Sequence, residues 1–175
     1  MKFAGTRLIT RLVIALVAMA VAMLAVTGCS MIKDASKSET AKSKVGDCIN
    51  VIEGSMVDSK TEPIDCSSEK AVYKIAQVFD TKTECKDEQT SYEETLNGGT
   101  TAFLCLTPNF KEGACYNESP TTGYKFVDCN APEASFKVTK RVDGQADEFL
   151  CDPATDTNFH ALTEAKITFC LGNPK

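Results

Sequence analysis

Cysteine, histidine and the carboxylates are the residues through which this chain could do chemistry. Eight cysteines occupy the body of the sequence: Cys48, Cys66, Cys85, Cys105, Cys115, Cys129, Cys151 and Cys170. None has another cysteine within four residues, whereas zinc sites and redox dithiols use closely spaced pairs such as C-x-x-C. An even, widely spaced set reads instead as a disulfide framework, the pattern of an exported chain. His160 is the sole histidine, so no H-E-x-x-H is possible and any Ser-His or Cys-His pair must use it. It sits in the polar stretch Thr157-Asn158-Phe159-His160 and reads as a surface or turn residue. No serine lies in a G-x-S-x-G elbow.

Carboxylates are plentiful, in groups at Glu84, Asp87 and Glu88, at Glu93 and Glu94, and at Asp147, Glu148, Asp152 and Asp156. Paired carboxylates can cleave glycans, but charge runs are ordinarily solvated faces. Asp152 and Asp156 lack the ligand spacing and glycine of a calcium loop. No catalytic residue, metal or cofactor is therefore expected. Tyr116, Tyr124 and Phe126 form an aromatic cluster that either fills a small core or presents a binding surface.

The cysteines fall into two sets of four inside a repeated pattern. Val45-Gly46-Asp47-Cys48 answers to Glu112-Gly113-Ala114-Cys115, and Ile64-Asp65-Cys66-Ser67 to Val127-Asp128-Cys129-Asn130. Ala71-Val72-Tyr73-Lys74-Ile75 matches Ala134-Ser135-Phe136-Lys137-Val138, and Phe103-Leu104-Cys105-Leu106 matches Thr168-Phe169-Cys170-Leu171. The offsets stay between 63 and 67 residues. Two tandem modules of about 60 residues follow, a size at which disulfides commonly supplement a small core. Four cysteines admit three connectivities and the sequence selects none. Pairing first with second and third with fourth in each copy is the working expectation, with strands lying side by side at each bridge.

The elements that must position these residues read as β-dominated. Ala134, Phe136, Val138 and Val142 alternate with Lys137, Thr139 and Arg141, the period-2 pattern of a half-buried strand. Ala71, Tyr73, Ile75 and Phe79 repeat its core face. Asn97-Gly98-Gly99 marks a turn leading into a strand at Thr101–Leu106, and Ile167–Leu171 is the matching final strand. The polar segment Glu84–Leu96 reads as a short helix, and Asp152-Pro153 delays any counterpart in the second copy. The expected fold class is thus α+β and β-dominated: two tandem disulfide-stapled modules, at 45–108 and 109–175, with the junction between Pro108 and Gly113.

The ninth cysteine belongs to the start of the chain. Lys2, Arg7 and Arg11 precede an uninterrupted apolar run from Leu12 to Val26, the charged and apolar regions of a secretory signal. The run is shorter than the ~20 residues of a usual membrane span. Val26-Thr27-Gly28-Cys29 resembles the lipobox of bacterial lipoproteins, in which the cysteine receives a diacylglycerol and the chain is cut before it. This implies a signal peptide at 1–28 and lipidation of Cys29. Two acyl chains hold a protein stably where one does so marginally. Residues 29–44 read as the anchor and a flexible tether, with a reach on the order of 20 Å for fifteen residues.

Three of the 19 basic residues and none of the 24 acidic ones precede Cys29, which leaves the processed chain at a net charge of −8. Nucleic acid is not an expected partner, because phosphate binding needs a basic surface.

Taken together, the lipobox and the repeated motifs resemble a family of small actinobacterial lipoproteins, the LppU-type proteins. The Gly-Asp-Cys and aliphatic-x-Cys pattern is also similar to the septum-formation-type extracellular module of the same bacteria, without the histidine that often follows its second cysteine. The resemblance implies a lipid-anchored place on the outer side of the cell membrane and no particular activity. The expected function is a non-enzymatic envelope lipoprotein of binding or adaptor type, whose partners are the membrane, through Cys29, and another envelope protein or glycan. The alternatives are an extracytoplasmic enzyme acting on cell-wall polymer through carboxylates, and a redox-responsive protein.

Overall fold

The computed structural model describes residues 37–54 and 59–174. The signal segment and Cys29 lie outside these residues. Ser38 onward forms one compact unit. It holds ten strands: β1 (Cys48–Glu53), β2 (Lys60–Ile64), β3 (Tyr73–Phe79), β4 (Thr90–Leu96), β5 (Gly99–Pro108), β6 (Cys115–Ser119), β7 (Gly123–Val127), β8 (Phe136–Asp143), β9 (Asn158–Leu162) and β10 (Ile167–Gly172). They make two antiparallel five-stranded sheets, ordered β2-β1-β3-β5-β4 and β7-β6-β8-β10-β9. Each sequence repeat is one sheet, and the two share one topology.

The repeat extends to individual backbone bonds. Gly46 N–H donates to Ile75 O and Gly113 N–H to Val138 O, while Asp47 O accepts from Ile75 N–H and Ala114 O from Val138 N–H. Gly46 and Gly113 both adopt positive φ, +99° and +85°, which explains the glycine two residues before the first cysteine of each copy. The aspartates of the Asp-Cys motif cap turns: Asp65 Oδ1 accepts from Ser67 N–H and Asp128 Oδ1 from Asn130 N–H, each at 2.8 Å. These motif residues are architectural.

The disulfides join Cys48 to Cys66, Cys85 to Cys105, Cys115 to Cys129 and Cys151 to Cys170. Each ties a buried strand cysteine (Cys48, Cys105, Cys115, Cys170) to a half-buried loop cysteine. Each bridge therefore fastens to the sheet a loop next to a neighbouring strand, and the strands at each bridge do lie side by side: β1 with β2, β4 with β5, β6 with β7 and β9 with β10.

The inner faces of both sheets contribute to one continuous core. Ile49, Tyr73, Ile75, Leu104 and Leu106 come from the first sheet, and Tyr116, Phe136, Val138, Phe169 and Leu171 from the second. The two copies are thus halves of one hydrophobic unit. Phe110, on the connection between them, is fully buried, with ring centroids 4.6–5.4 Å from Tyr116, Tyr124, Phe136 and Phe169.

Three sequence expectations are corrected. Glu84–Leu96 is not a helix: it is a loop followed by β4. The Asn97-Gly98 turn, with φ of +52° and +79°, joins β4 to β5 as a hairpin, and two positive-φ residues in that position demand antiparallel strands. A single 3-10 turn, Glu148–Leu150, is the only helical element among the described residues.

The face assignments of β3 and β8 also change midway. Each strand bulges by one residue, Ala76 against β5 and Thr139 against β10. A bulge inverts the faces beyond it. Arg141 consequently lies opposite buried Phe169 on the inner face, its guanidinium carbon 5.5 Å from that ring. Val142 and Phe79 turn outward, opposite Thr168 and Phe103.

Finally, the end of the segment read as tether is folded. Thr40 and Ala41 are buried. The Thr61 hydroxyl on β2 bonds the Thr40 hydroxyl at 2.9 Å, and Ser38 N–H donates to Glu94 Oε1 on β4 at 2.9 Å. Residues 38–44 thus plug the first sheet between its two edge strands.

Candidate functional site

Aromatic residues of the second sheet pack against one another in the core. Tyr116 is fully buried, and Tyr124 and Phe126 are half-buried against the core, so this cluster serves packing. Burial raises the Tyr116 and Tyr73 hydroxyls to about 12 and pushes Tyr124 up further, helped by Glu118.

His160 lies on the inner side of β9, opposite Phe169, and not on a surface turn. Its ring centroid is 6.3 Å from those of Phe110 and Tyr124. Burial lowers its pKa, against weaker upward pulls from Glu118 and Glu88. Its Nε2 is buried without a hydrogen-bond partner. No serine or cysteine hydroxyl or thiol bonds it among the described residues.

Six of the carboxylates singled out above, Glu88, Glu93, Glu94, Asp147, Asp152 and Asp156, are held as structural acceptors. Glu88 takes Thr163 N–H at 2.8 Å and Glu164 N–H at 3.3 Å, joining the two halves. Burial pushes Glu88 upward, but the Thr163 and Glu164 hydrogen bonds outweigh it and the net shift is down. The Thr100 hydroxyl and Lys82 lower Glu93. Glu94 accepts from Ser38, and Asp147 from Phe149 N–H at 3.0 Å. Cys151, Asp156 and Cys170 come close together, but both sulfurs are spent in one bridge and supply no thiolate.

One surface stands apart. The loop carrying Cys151 folds over the outer face of β10 and leaves a recess of about 510 Å³, lined by Phe149, Pro153, Phe159, Glu148, Asp152 and Asp156. The Phe149 side chain is among the most exposed apolar groups of the molecule, at 85%, and Phe159 is 40% exposed. Two exposed rings lining one recess make an apolar patch of the kind found at contact surfaces.

The turn bearing Phe149 is fixed at both ends. Asp147 N–H donates to the Thr168 hydroxyl at 2.9 Å, and that hydroxyl donates to Gln145 O at 2.9 Å. Cys151 is bridged to Cys170. Across the recess, Asp156 Oδ2 accepts from Asp152 N–H at 2.7 Å and Asp152 Oδ1 from Ala154 N–H at 2.9 Å. The turn that carries Phe149 is therefore tied to β10 at both ends.

The first repeat supplies an internal comparison. Its loop carrying Cys85 forms an equivalent recess of about 440 Å³ beside the Cys85–Cys105 bridge. There Thr83 occupies the place of Phe149, two residues before the loop cysteine. Ser91, opposite Cys105, occupies that of Phe159, opposite Cys170. The same architecture is thus built with small polar residues at both positions, so the fold does not require the phenylalanines.

The sequence does not single out this pair; the aromatic cluster it offers as either core or contact surface is Tyr116, Tyr124 and Phe126. The available signal was Phe149 itself, an aromatic flanked by acids in a loop and without a counterpart in the other copy. Comparison with protein-family models, with curated proteins and with solved structures finds no match to this chain.

Proposed function

We propose that this chain is a lipid-tethered envelope protein of non-enzymatic binding type, displaying a disulfide-stapled β domain on the outer side of the cell membrane. The observation that carries the binding role is the Phe149–Phe159 recess, whose two exposed rings are replaced by Thr83 and Ser91 at the corresponding places of the other repeat. Binding is favoured over hydrolysis by the state of the carboxylates. Glu88 and Glu93 are held as anions by their partners, whereas a glycosidase acid needs a raised pKa.

The anchor reading rests on the resemblance of Val26-Thr27-Gly28-Cys29 to a lipobox. Nine chain steps separate Cys29 from Ser38, where the folded domain begins. A lipid on Cys29 therefore keeps that end of the domain within about 32 Å of the bilayer, at 3.3–3.6 Å per residue.

Mass spectrometry of the chain extracted from native membranes, before and after reduction, tests the reading. The expected result is a diacylated N-terminal Cys29 and a gain of about eight mass units as four bridges are reduced. An uncleaved, unmodified N-terminus would sink the anchor.

A further inference from the structure

Resting on the reading of the recess as a contact surface, we infer that its ligand is a peptide segment carrying a lysine or arginine beside apolar residues. The apolar part is the face offered by Phe149, Phe159 and Pro153. Aromatic rings on a rigid frame give binding energy with little ordering cost.

The charge part comes from Glu148, Asp152 and Asp156 around those rings. Two of these carboxylates are already committed. Asp152 Oδ1 receives Ala154 N–H, and Asp156 receives the Thr139 hydroxyl on Oδ1 and Asp152 N–H on Oδ2. A sugar hydroxyl would compete with those bonds for acceptor lone pairs. A cation is drawn by the field of the carboxylates without displacing them, and over a phenylalanine face it gains a cation–π contribution. Phenylalanine, unlike tyrosine or tryptophan, brings no hydrogen-bonding edge for a polyol. The site therefore favours a cationic, apolar segment over a glycan.

The experiment uses the full chain in detergent, the double variant Phe149→Thr with Phe159→Ser, and the single variant Glu148→Gln. The double variant copies the first repeat's own residues, so the fold is expected to survive, with urea denaturation as the check. The probes are a random heptapeptide display library and a neutral β-1,4-linked hexasaccharide. The expected result is enrichment of peptides with Lys or Arg next to an apolar residue. Their affinity should fall by about tenfold or more in the double variant and by about threefold in Glu148→Gln, and weaken with added salt.

No enrichment, enrichment without basic residues, or equal binding to the double variant would overturn the inference. Hexasaccharide binding lost in the double variant would keep the recess as a contact surface and replace the peptide by a glycan. An unmodified Cys29 would remove the anchor and leave every one of these outcomes readable.

Discussion

The hydroxyl of Tyr73, on the first sheet, accepts the backbone N–H of Tyr124, on an edge strand of the second, at 2.8 Å. This bond joins the two repeats where their aromatic residues meet. It also explains Gly123, at φ +72°, where an added Cβ would stand 2.5 Å from the Tyr73 hydroxyl. Tyr73→Phe should cost about 1–3 kcal/mol, because the Tyr124 N–H loses its partner in a half-buried place. Gly123→Ala should cost about 2 kcal/mol or more through strain and collision. The collision is absent once the hydroxyl is gone, so Gly123→Ala should cost less in a Tyr73→Phe background. Urea denaturation of the four proteins of this cycle measures it, and strict additivity would contradict the contact.

The boundary between tether and domain is set by Thr40 and Ala41. A chain lacking residues 30–36 serves as the reference. Extending the deletion through Ser43 removes the buried pair and the Thr40–Thr61 and Ser38–Glu94 bonds, and should cost about 2 kcal/mol. Equal midpoints for both truncations would show that the plug contributes nothing.

Stability should respond to pH through His160. Burial depresses its folded pKa below the ordinary 6.5, so the unfolded chain takes up a proton first as the pH falls. The stability that depends on neutral His160 is complete above 6.5 and is lost as the pH drops through the folded value. Melting temperatures at pH 7.5 and 5.5 should differ, with the lower value at pH 5.5. His160→Phe should shrink that difference. The lowered carboxylates Glu88 and Glu93 act in a separate window, below their ordinary 4.5, where protonation removes their contribution. A pH response of His160→Phe identical to that of the parent would refute the assignment.

Each bridge closes a short loop, with separations of 14 to 20 residues. On the chain-entropy estimate one such bridge contributes about 3 kcal/mol. Replacing Cys85 and Cys105 together by alanine should lower stability by about that amount, and replacing Cys151 and Cys170 by a similar one. The second pair should also weaken binding at the recess, since it frees one end of the turn that holds Phe149. Unfolding curves and peptide affinity, measured on the same variants, separate the two effects.

Some of this was written in the chain itself. The duplication, the β-dominated class and the even set of eight cysteines follow from local signals: turn residues, period-2 patterns and spacing. Such signals act over a few neighbouring residues and survive without knowledge of the fold. The repeat even accounts for Gly46 and Gly113, whose backbone conformations the two sheets reuse.

Tertiary structure decided the rest. The bulges at Ala76 and Thr139 turned Arg141 inward and Phe79 outward, which no alternation pattern foretells, because a bulge is fixed by the partner strand. β4 formed where polar residues suggested a helix, since the Asn97-Gly98 turn and the neighbouring β5 supplied the pairing. The two copies merged into a single core because each sheet alone leaves an apolar inner face exposed, and only the other sheet is shaped to cover it. Phe149 and Tyr116 each lie within two residues of a glutamate and a cysteine, yet one is displayed and the other buried. That difference comes from a capped turn and a disulfide over β10, contacts made between residues distant in sequence.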